Sequence, residues 1–227
     1  MRKIVRLYIN WLTSLSKKRS RQGLYEFLNA EFANIPSNAK VLTVGSGGEV
    51  NDVLKKHAKL HGFEFVSFDY DVSRKPDLLG DICEYDFKSQ VFDAVVMCEV
   101  LEHLPSPQSG INTVYNVLKP GGKLILSTPF ILPIHDQPHD YFRFTRYGLL
   151  LLLKCFNKVI VDERNSYFEA IDVLWLRLLQ TNLSSAKYLS LIIIPVVYFF
   201  QRPISLLLSQ LVSTNVMTTG YVVTAIK

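Results

Sequence analysis

The sequence predicts an α/β fold with a doubly wound, mostly parallel sheet and helices on both of its faces. Short β-branched or aromatic runs, typical of buried strands, recur along the chain: KVLTVG, FEFVSFD, FDAVVM, GKLILST, KVIVDE and GYVVTAI. Helices are expected between them at 49–61, 108–118 and 146–156, and Thr145 is a good N-cap for the last one. Strand–helix alternation with connections of this length favours parallel pairing.

The domain organisation follows from the same patterns. Residues 1–36 form basic amphipathic N-terminal helices, with Pro36 ending the second one. The α/β domain is expected over 37–165 and 214–227, and 166–213 is an apolar helical insertion before the last strand. Between residues 69 and 92 the pattern is mixed, and no long helix is expected there.

The positive charge of the chain is concentrated at one end. The formal net charge is +5, whereas residues 1–21 carry +7 and no acid, so the remainder is −2. Apolar residues such as Leu7, Ile9 and Trp11 are interleaved with these charges, which favours an anionic membrane surface over nucleic acid as the partner. The alternative is a solvated basic helix packed on its own domain. A signal peptide is disfavoured, because polar residues interrupt the apolar stretch and no small-residue cleavage site follows it.

The insertion contains two apolar stretches, YLSLIIIPVVYFF at 188–200 and ISLLLSQLV after it. Thirteen helical residues cover about 20 Å, less than the ~30 Å of a bilayer core, and Pro195 would kink them. We therefore expect a helical hairpin that lies in the membrane interface and turns near 201–203. The alternative is a pair of core helices buried against the domain or a partner. The expected location is cytoplasmic, peripheral on the inner face of the cytoplasmic membrane.

Three scattered cysteines, Cys83, Cys98 and Cys155, have no paired spacing. This pattern argues against a disulfide framework or a zinc site and fits a reducing cytoplasm.

The stretch VLTVGSGG ends a predicted strand in small residues. Gly45 and Gly47 allow a sharp turn and a close approach of a ligand to the main chain. The helix that begins near Glu49 would present its free N–H groups to that ligand. The stretch is either a cofactor cradle or only a tight turn between strand and helix.

Acidic residues follow the next predicted strands. Asp69 ends the second strand, with Asp71 nearby, in a position to accept hydrogen bonds from both hydroxyls of an adenosine ribose. Asp81 and Ile82 could bond the adenine edge and cover its face. The alternative for Asp81 is an ordinary loop acid.

Five motifs together resemble class I S-adenosylmethionine-dependent methyltransferases in order and spacing: VLTVGSGG, FVSFDYD, GDICEYDF, FDAVVMCEVLEHL and LKPGGKLILSTPF. The resemblance covers residues 40–130. Through PHDYFRFT at 138–145 the chain looks like the bacterial methyltransferase type-11 group associated with surface polysaccharide or glycolipid assembly. The resemblance implies a Rossmann-like sheet whose last strand is antiparallel, and it implies S-adenosylmethionine as the cofactor.

The resemblance also implies roles for individual residues. Gly45, Ser46 and Gly47 would border the methionine and ribose of the cofactor, and Asp69 would bind the ribose. The further residues assigned in this way are Asp81 and Ile82 at adenine, Cys98 and Glu99 near the sulfonium, and Glu102 and His103 at the mouth of the substrate site. Arg143 is a further candidate substrate residue. Two positions depart from the family pattern: Thr43 replaces an acid and Glu49 replaces a third glycine. Glu49 would supply a substitute negative charge for the cofactor's ammonium group.

A hydroxyl acceptor would need a base in addition to alignment with the donor. The candidates are His103, His135 and His139, with Asp136 or Asp140 as orienting carboxylates. The alternative is that His139, Asp140 and Arg143 only fix the loop by mutual hydrogen bonds. No metal is expected, because Pro138 separates His135 from His139 and no Cys or Glu constellation accompanies them.

The favoured function is O-methylation of a sugar, lipid-linked glycan or other amphipathic acceptor at the cytoplasmic membrane face, without nucleic acid. One alternative is a membrane-associated scaffold with a decayed methyltransferase fold, which Thr43 and Glu49 favour and Asp69, Asp81 and Glu99 oppose. A nicotinamide-dependent oxidoreductase is disfavoured, because the third glycine of the dinucleotide fingerprint is missing and LKPGG is left unexplained.

Overall fold

The computed structural model describes residues 2–45, 47–177, 184–212, 214 and 216–227. The chain divides into two compact units. The helical unit comprises Met1–Gly23, Ile131–Pro133 and Glu163–Thr219, and the sheet unit comprises Leu24–Phe130, Ile134–Asp162 and Gly220–Lys227.

The sheet contains seven strands in the order β3-β2-β1-β4-β5-β7-β6. Their bounds are β1 Lys40–Val44, β2 Glu64–Asp69, β3 Leu78–Leu79, β4 Phe92–Cys98, β5 Leu118–Pro129, β6 Lys158–Glu163 and β7 Gly220–Ile226. β1 pairs in parallel with β2 and β4, as do β2 with β3 and β4 with β5, whereas β7 runs antiparallel to β5. The predicted fold class, including the antiparallel last strand, is confirmed.

Eight α-helices are described: α1 Arg2–Ser20, α2 Gln22–Ala33, α3 Glu49–His61, α4 Pro107–Val117, α5 Arg146–Leu152, α6 Tyr167–Leu176, α7 Ser184–Val196 and α8 Arg202–Leu211. The sheet is covered on both faces. Leu42 and Val44 of β1 pack in one core cluster and Val41 packs in the other. Alternate side chains of one strand therefore enter opposite layers, as a doubly wound sheet requires.

Two local expectations for the sheet unit need correction. α5 ends at Leu152, short of the expected 156. β5 already begins at Leu118, because the LKPGG segment pairs with the C-terminus: Gly121 N–H donates to the Lys227 carbonyl and Lys227 N–H to the Gly122 carbonyl. The mixed segment contains the short strand β3, which two residues are too few to reveal by periodicity.

The expected hairpin in the insertion is wrong. α7, a π-helical turn at Val197–Gln201 and α8 follow one another without a break, and Gln201 and Arg202 both have right-handed helical dihedral angles. Pro203 has no N–H to donate, so a regular α-helix would lose a hydrogen bond there. A π turn precedes Pro203 instead, in which the Arg202 N–H donates to the Val197 carbonyl, and the chain stays helical through the proline.

The apolar stretch is consequently longer than thirteen residues. Leu191–Leu211 is long and apolar enough to cross a membrane by length and composition. One face of this helical stretch packs inside its own unit, where Ile194 and Val197 form a cluster with Leu12 of α1 and Leu176 of α6.

The core of the sheet unit yields a stability prediction. Leu42→Ala removes a fully buried side chain and should lower the free energy of unfolding by about 2–5 kcal/mol, measured by urea denaturation. Leu60→Ala is the matched control, since Leu60 is 69% exposed and its truncation should cost less than about 0.5 kcal/mol. Equal losses in the two variants would contradict the described core.

Candidate active site

The site lies where the parallel strands end. β1 lies between β2 and β4 in the sheet. From β1 the chain continues to β2 and β3 on one side, and it then crosses to β4 and β5 on the other side, so the strand order reverses between β1 and β4. Ligands of open α/β sheets bind beyond the carboxyl ends of the strands at this switch point. The predicted cofactor residues at the ends of β1, β2 and β4 therefore share one edge of the sheet.

The turn after β1 has the geometry of a cradle. Gly45 and Gly48 have positive φ angles of 84° and 76°. A Cβ at Gly45 would come within 2.6 Å of the Val100 side chain, so only glycine fits there, whereas a Cβ at Gly48 would meet nothing within 4 Å. Gly48 is also the N-cap of α3, and the first N–H groups of a helix have no partner within the helix itself. Ser46 lies outside the described residues.

The two departures from the family pattern have partners in the structure. The buried Thr43 hydroxyl donates to Asn51 Oδ1 at 2.9 Å, so a neutral pair stands where the family carries an acid. Glu49 Oε2 accepts a 2.5 Å hydrogen bond from the Tyr25 hydroxyl. That bond ties one oxygen of Glu49 to α2, so its role as a substitute charge for the ammonium stays a prediction.

Asp69 at the end of β2 is buried, with its side chain 1% exposed. Its Oδ1 accepts from the Asp71 N–H at 2.9 Å, and its Oδ2 lies 3.2 Å from Arg74 Nη1. The Arg74 guanidinium also lies close to Gly47: a Cβ atom added at Gly47 would be 3.1 Å from Arg74 Cζ. Arg74 thus lies between Asp69 and Gly47, at the predicted ribose site. The sequence analysis did not identify Arg74 as a residue of this site.

The predicted adenine residues differ in exposure. The Asp81 side chain is exposed and accepts a 2.8 Å bond from the Cys83 N–H. Ile82 is only 3% exposed and packs in the core, so it presents little surface to a ligand.

The end of β4 carries a conformationally unusual acid. Cys98 is buried, and the next residue, Glu99, has a φ of 55°, which is uncommon for a residue with a side chain and recurs at functional sites. Two bonds hold it: its N–H donates to the Ser127 carbonyl, and its Oε1 accepts from the Ser127 hydroxyl at 2.9 Å.

Glu102, three residues after Glu99, lies close to two histidine rings. Glu102 is fully buried, and its Oε1 lies 3.7 Å from His103 Nε2 and 3.9 Å from His135 Nε2. Its Oε2 accepts from the Thr128 hydroxyl at 3.4 Å. The 3-10 turn Leu101–His103 supplies two of these side chains and the segment after β5 supplies His135.

His139 is oriented differently from the other two histidines. Its Nδ1 lies 2.6 Å from the Tyr141 hydroxyl, and its carbonyl lies 2.6 Å from His103 Nδ1. The structure therefore brings the backbone of His139, but not its ring, to the Glu102 group. Its predicted role as a base stays a prediction.

Asp140 and Arg143 fix the loop that carries His135. The guanidinium of Arg143 makes two bonds to the Asp140 carboxylate, at 2.5 and 2.7 Å, and the His135 N–H donates to Asp140 Oδ2. The bonds from Arg143 lower the pKa of Asp140 to about 2, and the same pair raises the pKa of Arg143. Of the loop-fixing group expected from the sequence, the Asp140–Arg143 pair is present, but its third member is the His135 N–H and not His139, whose Nδ1 lies beside the Tyr141 hydroxyl.

The Asp140–Arg143 pair yields a pH prediction. The pKa of Asp140 falls from 3.8 to about 2 on folding, so the ionised carboxylate stabilises the fold above about pH 4, and this contribution is lost as the pH falls toward 2. Asp140→Asn should lower the free energy of unfolding by about 2 kcal/mol at pH 7, with a smaller difference at pH 3. Urea denaturation at both pH values measures this. Asp86→Asn, at an exposed turn, is the control, and a pH-independent loss would contradict the assignment.

Comparisons with known proteins agree with the geometry. Residues 41–126 match the family model for a methyltransferase domain. Ubiquinone biosynthesis O-methyltransferase of Xanthomonas axonopodis pv. citri is 37% identical over 111 residues, 41% of this chain and 44% of that protein. The corresponding protein of Xylella fastidiosa strain 9a5c is 34% identical over 110 residues, 40% and 42% of the two chains. The chain thus spans less than half the length of these relatives.

Solved structures show the same fold. A SAM-dependent methyltransferase from Archaeoglobus fulgidus matches with a TM-score of 0.56 at 18% identity, over 95% of this chain and 94% of that one. Phosphoethanolamine N-methyltransferase 2 of Haemonchus contortus, solved with S-adenosyl-L-methionine, also gives 0.56, at 16% identity over 91% and 52%. At these identities the likeness is one of fold. Residues 41–126 thus match a methyltransferase domain model, and the sheet has the fold of solved S-adenosylmethionine-dependent methyltransferases.

Proposed function

We propose that this chain is an S-adenosylmethionine-dependent methyltransferase that acts at the cytoplasmic face of a membrane. Its acceptor is an amphipathic molecule, a lipid-linked glycan, which it methylates on oxygen. The observation that carries the proposal is the shared strand edge. At that edge Gly45 lies against Val100, the residue before the turn that carries Glu102 and His103, and the buried carboxylate of Asp69 ends the neighbouring strand.

The residues at the cradle fit the cofactor. The open space at Gly48 and the positive φ of Gly45 let a ligand approach the main chain, and α3, which begins at Glu49, would direct its first N–H groups toward that ligand. Asp69 can accept bonds from both ribose hydroxyls once Arg74 releases Oδ2, and Asp81 offers an exposed carboxylate for the adenine amine. When bound, the cofactor supplies an electrophilic methyl group on a sulfonium.

The acceptor side of the site can hold a hydroxyl and take its proton. His103 and His135 each direct Nε2 toward Glu102, and either ring can accept a proton from an acceptor at the mouth of the site. Arg143 and Asp140 hold the His135 loop in place. O-methylation is further supported by the relatives that are named O-methyltransferases.

An exposed apolar stripe supports membrane contact by the helical unit. Six side chains spaced three or four residues apart along the 191–211 helix are 49–72% exposed: Ile192, Val196, Phe200, Ile204, Leu207 and Leu211. The same unit contains the basic end of α1, including Lys17, Lys18 and Arg19. Apolar and basic surfaces in one unit suit a bilayer with anionic headgroups.

Contact with the membrane surface is favoured over a span. The Asp172 carboxylate on α6 accepts bonds from Gln201 and Ser205 of the long helix, and burial raises its pKa. If the 191–211 helix crossed the bilayer, either Asp172 would enter the hydrocarbon with it, at a cost of a few kcal/mol, or Gln201 and Ser205 would lose this partner. A peripheral position leaves the Asp172 group inside the protein and turns the opposite stripe to lipid.

Cofactor binding is tested by substituting Asp69. Asp69→Asn should weaken the binding of S-adenosylmethionine by about 10- to 100-fold in calorimetry, because each hydrogen bond to a charged group contributes about 1.5–3 kcal/mol. Asp86→Asn is the matched control and should bind like the unmodified chain. Absence of binding to the unmodified chain at millimolar cofactor would overturn the proposal and favour the decayed scaffold.

Membrane contact is tested by cosedimentation with vesicles of phosphatidylcholine with and without phosphatidylserine. The chain should bind the anionic vesicles more tightly, and added salt should weaken that binding. The double variant Phe200→Ser, Ile204→Ser should bind at least about tenfold more weakly, because two exposed apolar side chains are lost.

The matched control for the vesicle experiment is Leu60→Ser, Val72→Ser, which alters two equally exposed apolar residues of the sheet unit. It should bind as the unmodified chain does. Equal binding by both double variants would show that the stripe does not contact lipid. A labelled methyl donor, followed by mass spectrometry of extracted glycolipids, identifies the acceptor.

A further inference from the structure

The Arg74 side chain lies where the ribose of the cofactor would bind. Its Nη1 is 3.2 Å from Asp69 Oδ2, and a Cβ atom added at Gly47 would lie 3.1 Å from Nη1 and 3.2 Å from Cδ of the same side chain. The guanidinium and the end of its aliphatic stem therefore cover the main chain of the turn after β1. One side chain bridges that turn and the end of β2, the two elements that form the ribose site.

A short turn holds the backbone of Arg74 beside the site. Asp71 Oδ1 accepts a hydrogen bond from the Ser73 N–H at 2.9 Å, and the Arg74 N–H donates to the Asp71 carbonyl at 3.1 Å. This side-chain bond to the backbone two residues on stabilises the 3-10 turn Val72–Arg74. The guanidinium thus reaches Asp69 from a fixed Cα, and rotation of its side chain alone is enough to remove it.

A second carboxylate can keep the guanidinium once it has left Asp69. Arg74 Nε lies 3.6 Å from Asp71 Oδ2. The side chains of Asp71 and Arg74 are 35% and 43% exposed, whereas that of Asp69 is 1% exposed. A guanidinium that turns away from Asp69 therefore remains beside Asp71 and in contact with water, so it leaves the buried carboxylate without losing every partner.

We propose that Arg74 competes with the cofactor for the ribose site, so that this side chain sets the affinity of the chain for S-adenosylmethionine. This role rests on the proposed function, because it requires that Asp69 bind the ribose. The ribose hydroxyls and the guanidinium need the same oxygen of Asp69 and the same space against Gly47. The cofactor binds only the fraction of molecules in which Arg74 has turned aside, and its apparent affinity is reduced by that fraction.

The exchange keeps a buried acid satisfied in both arrangements. A carboxylate removed from water is costly unless hydrogen bonds or positive charge replace its hydration. The Asp71 N–H donates to Asp69 Oδ1 in either case, and Oδ2 is served first by Arg74 and then by the ribose. Arg74 therefore stabilises the ionised Asp69 that the ribose needs, and it lowers the affinity of the site in doing so.

The test is calorimetry of the full chain with S-adenosylhomocysteine, which carries no sulfonium charge. Arg74→Gln should bind this ligand about tenfold more tightly than the unmodified chain, because the neutral amide forms no ion pair with Asp69. Arg74→Lys keeps the charge but loses the forked geometry, so its affinity should lie between the two. Lys75→Gln makes the same change of net charge at the exposed neighbouring position and should bind like the unmodified chain.

The salt dependence of binding separates competition from a purely structural role of Arg74. Added salt should tighten the binding of S-adenosylhomocysteine to the unmodified chain, because salt screens the pair that the half-exposed Arg74 makes with Asp69. Salt should not tighten binding to Arg74→Gln. The measurement on the unmodified chain needs no substitution, so it decides the question even if a variant fails to fold.

Asp71→Asn tests where the displaced guanidinium goes. Asparagine keeps the oxygen that accepts from the Ser73 N–H but removes the charge that faces Arg74 Nε. Binding of S-adenosylhomocysteine should weaken about threefold, since Arg74 then stays longer on Asp69. The same substitution made in the Arg74→Gln chain should have no effect on binding.

Equal or weaker binding by Arg74→Gln, with Lys75→Gln unchanged, would overturn the competition and leave the methyltransferase in place. Binding to Arg74→Gln but not to the unmodified chain would support the competition. Binding to neither chain at millimolar ligand would remove the cofactor site and the competition together.

Discussion

The pairing of β1 between β2 and β4 is the constraint on which the candidate site depends. Val41, Leu42 and Val44 are buried on alternating faces, and each contributes on the order of 1.5–3 kcal/mol by leaving water. A strand held in this way ends at a fixed place, and its parallel neighbours end beside it. The glycine turn and Asp69 are thus positioned by apolar burial that lies outside the site itself.

The site also depends on buried acidic side chains. The side chains of Asp69, Glu102 and Asp140 are at most 1% exposed. A carboxylate removed from water is costly unless hydrogen bonds and positive charge replace its hydration. Asp140 obtains this from Arg143, and Asp69 from Arg74 and a main-chain N–H. At Glu102 the facing groups are the Thr128 hydroxyl and two imidazole rings.

Much of the sheet could be predicted from sequence because its signals are local. Strand runs, the N-cap at Thr145 and the helix at 49–61 each follow from a few neighbouring residues, and the structure has them at or near the expected positions. The hairpin expected in the insertion failed because a Pro normally ends a helix, and periodicity does not reveal the π turn that accommodates Pro203. The proximity of Glu102 to His135 depends on a loop fixed by Asp140 and Arg143, so spacing alone could not indicate it. The contact of Arg74 with Asp69 could not be predicted either, because Arg74 lies in a segment without regular periodicity.

A crystal structure of the chain with S-adenosylhomocysteine tests the central claim most directly. The ligand should lie across the Gly45–Gly48 turn, its ribose hydroxyls should bond to Asp69, and Arg74 should have left Asp69 Oδ2. A ligand bound elsewhere, with Arg74 still bonded to Asp69, would contradict the assignment of this site.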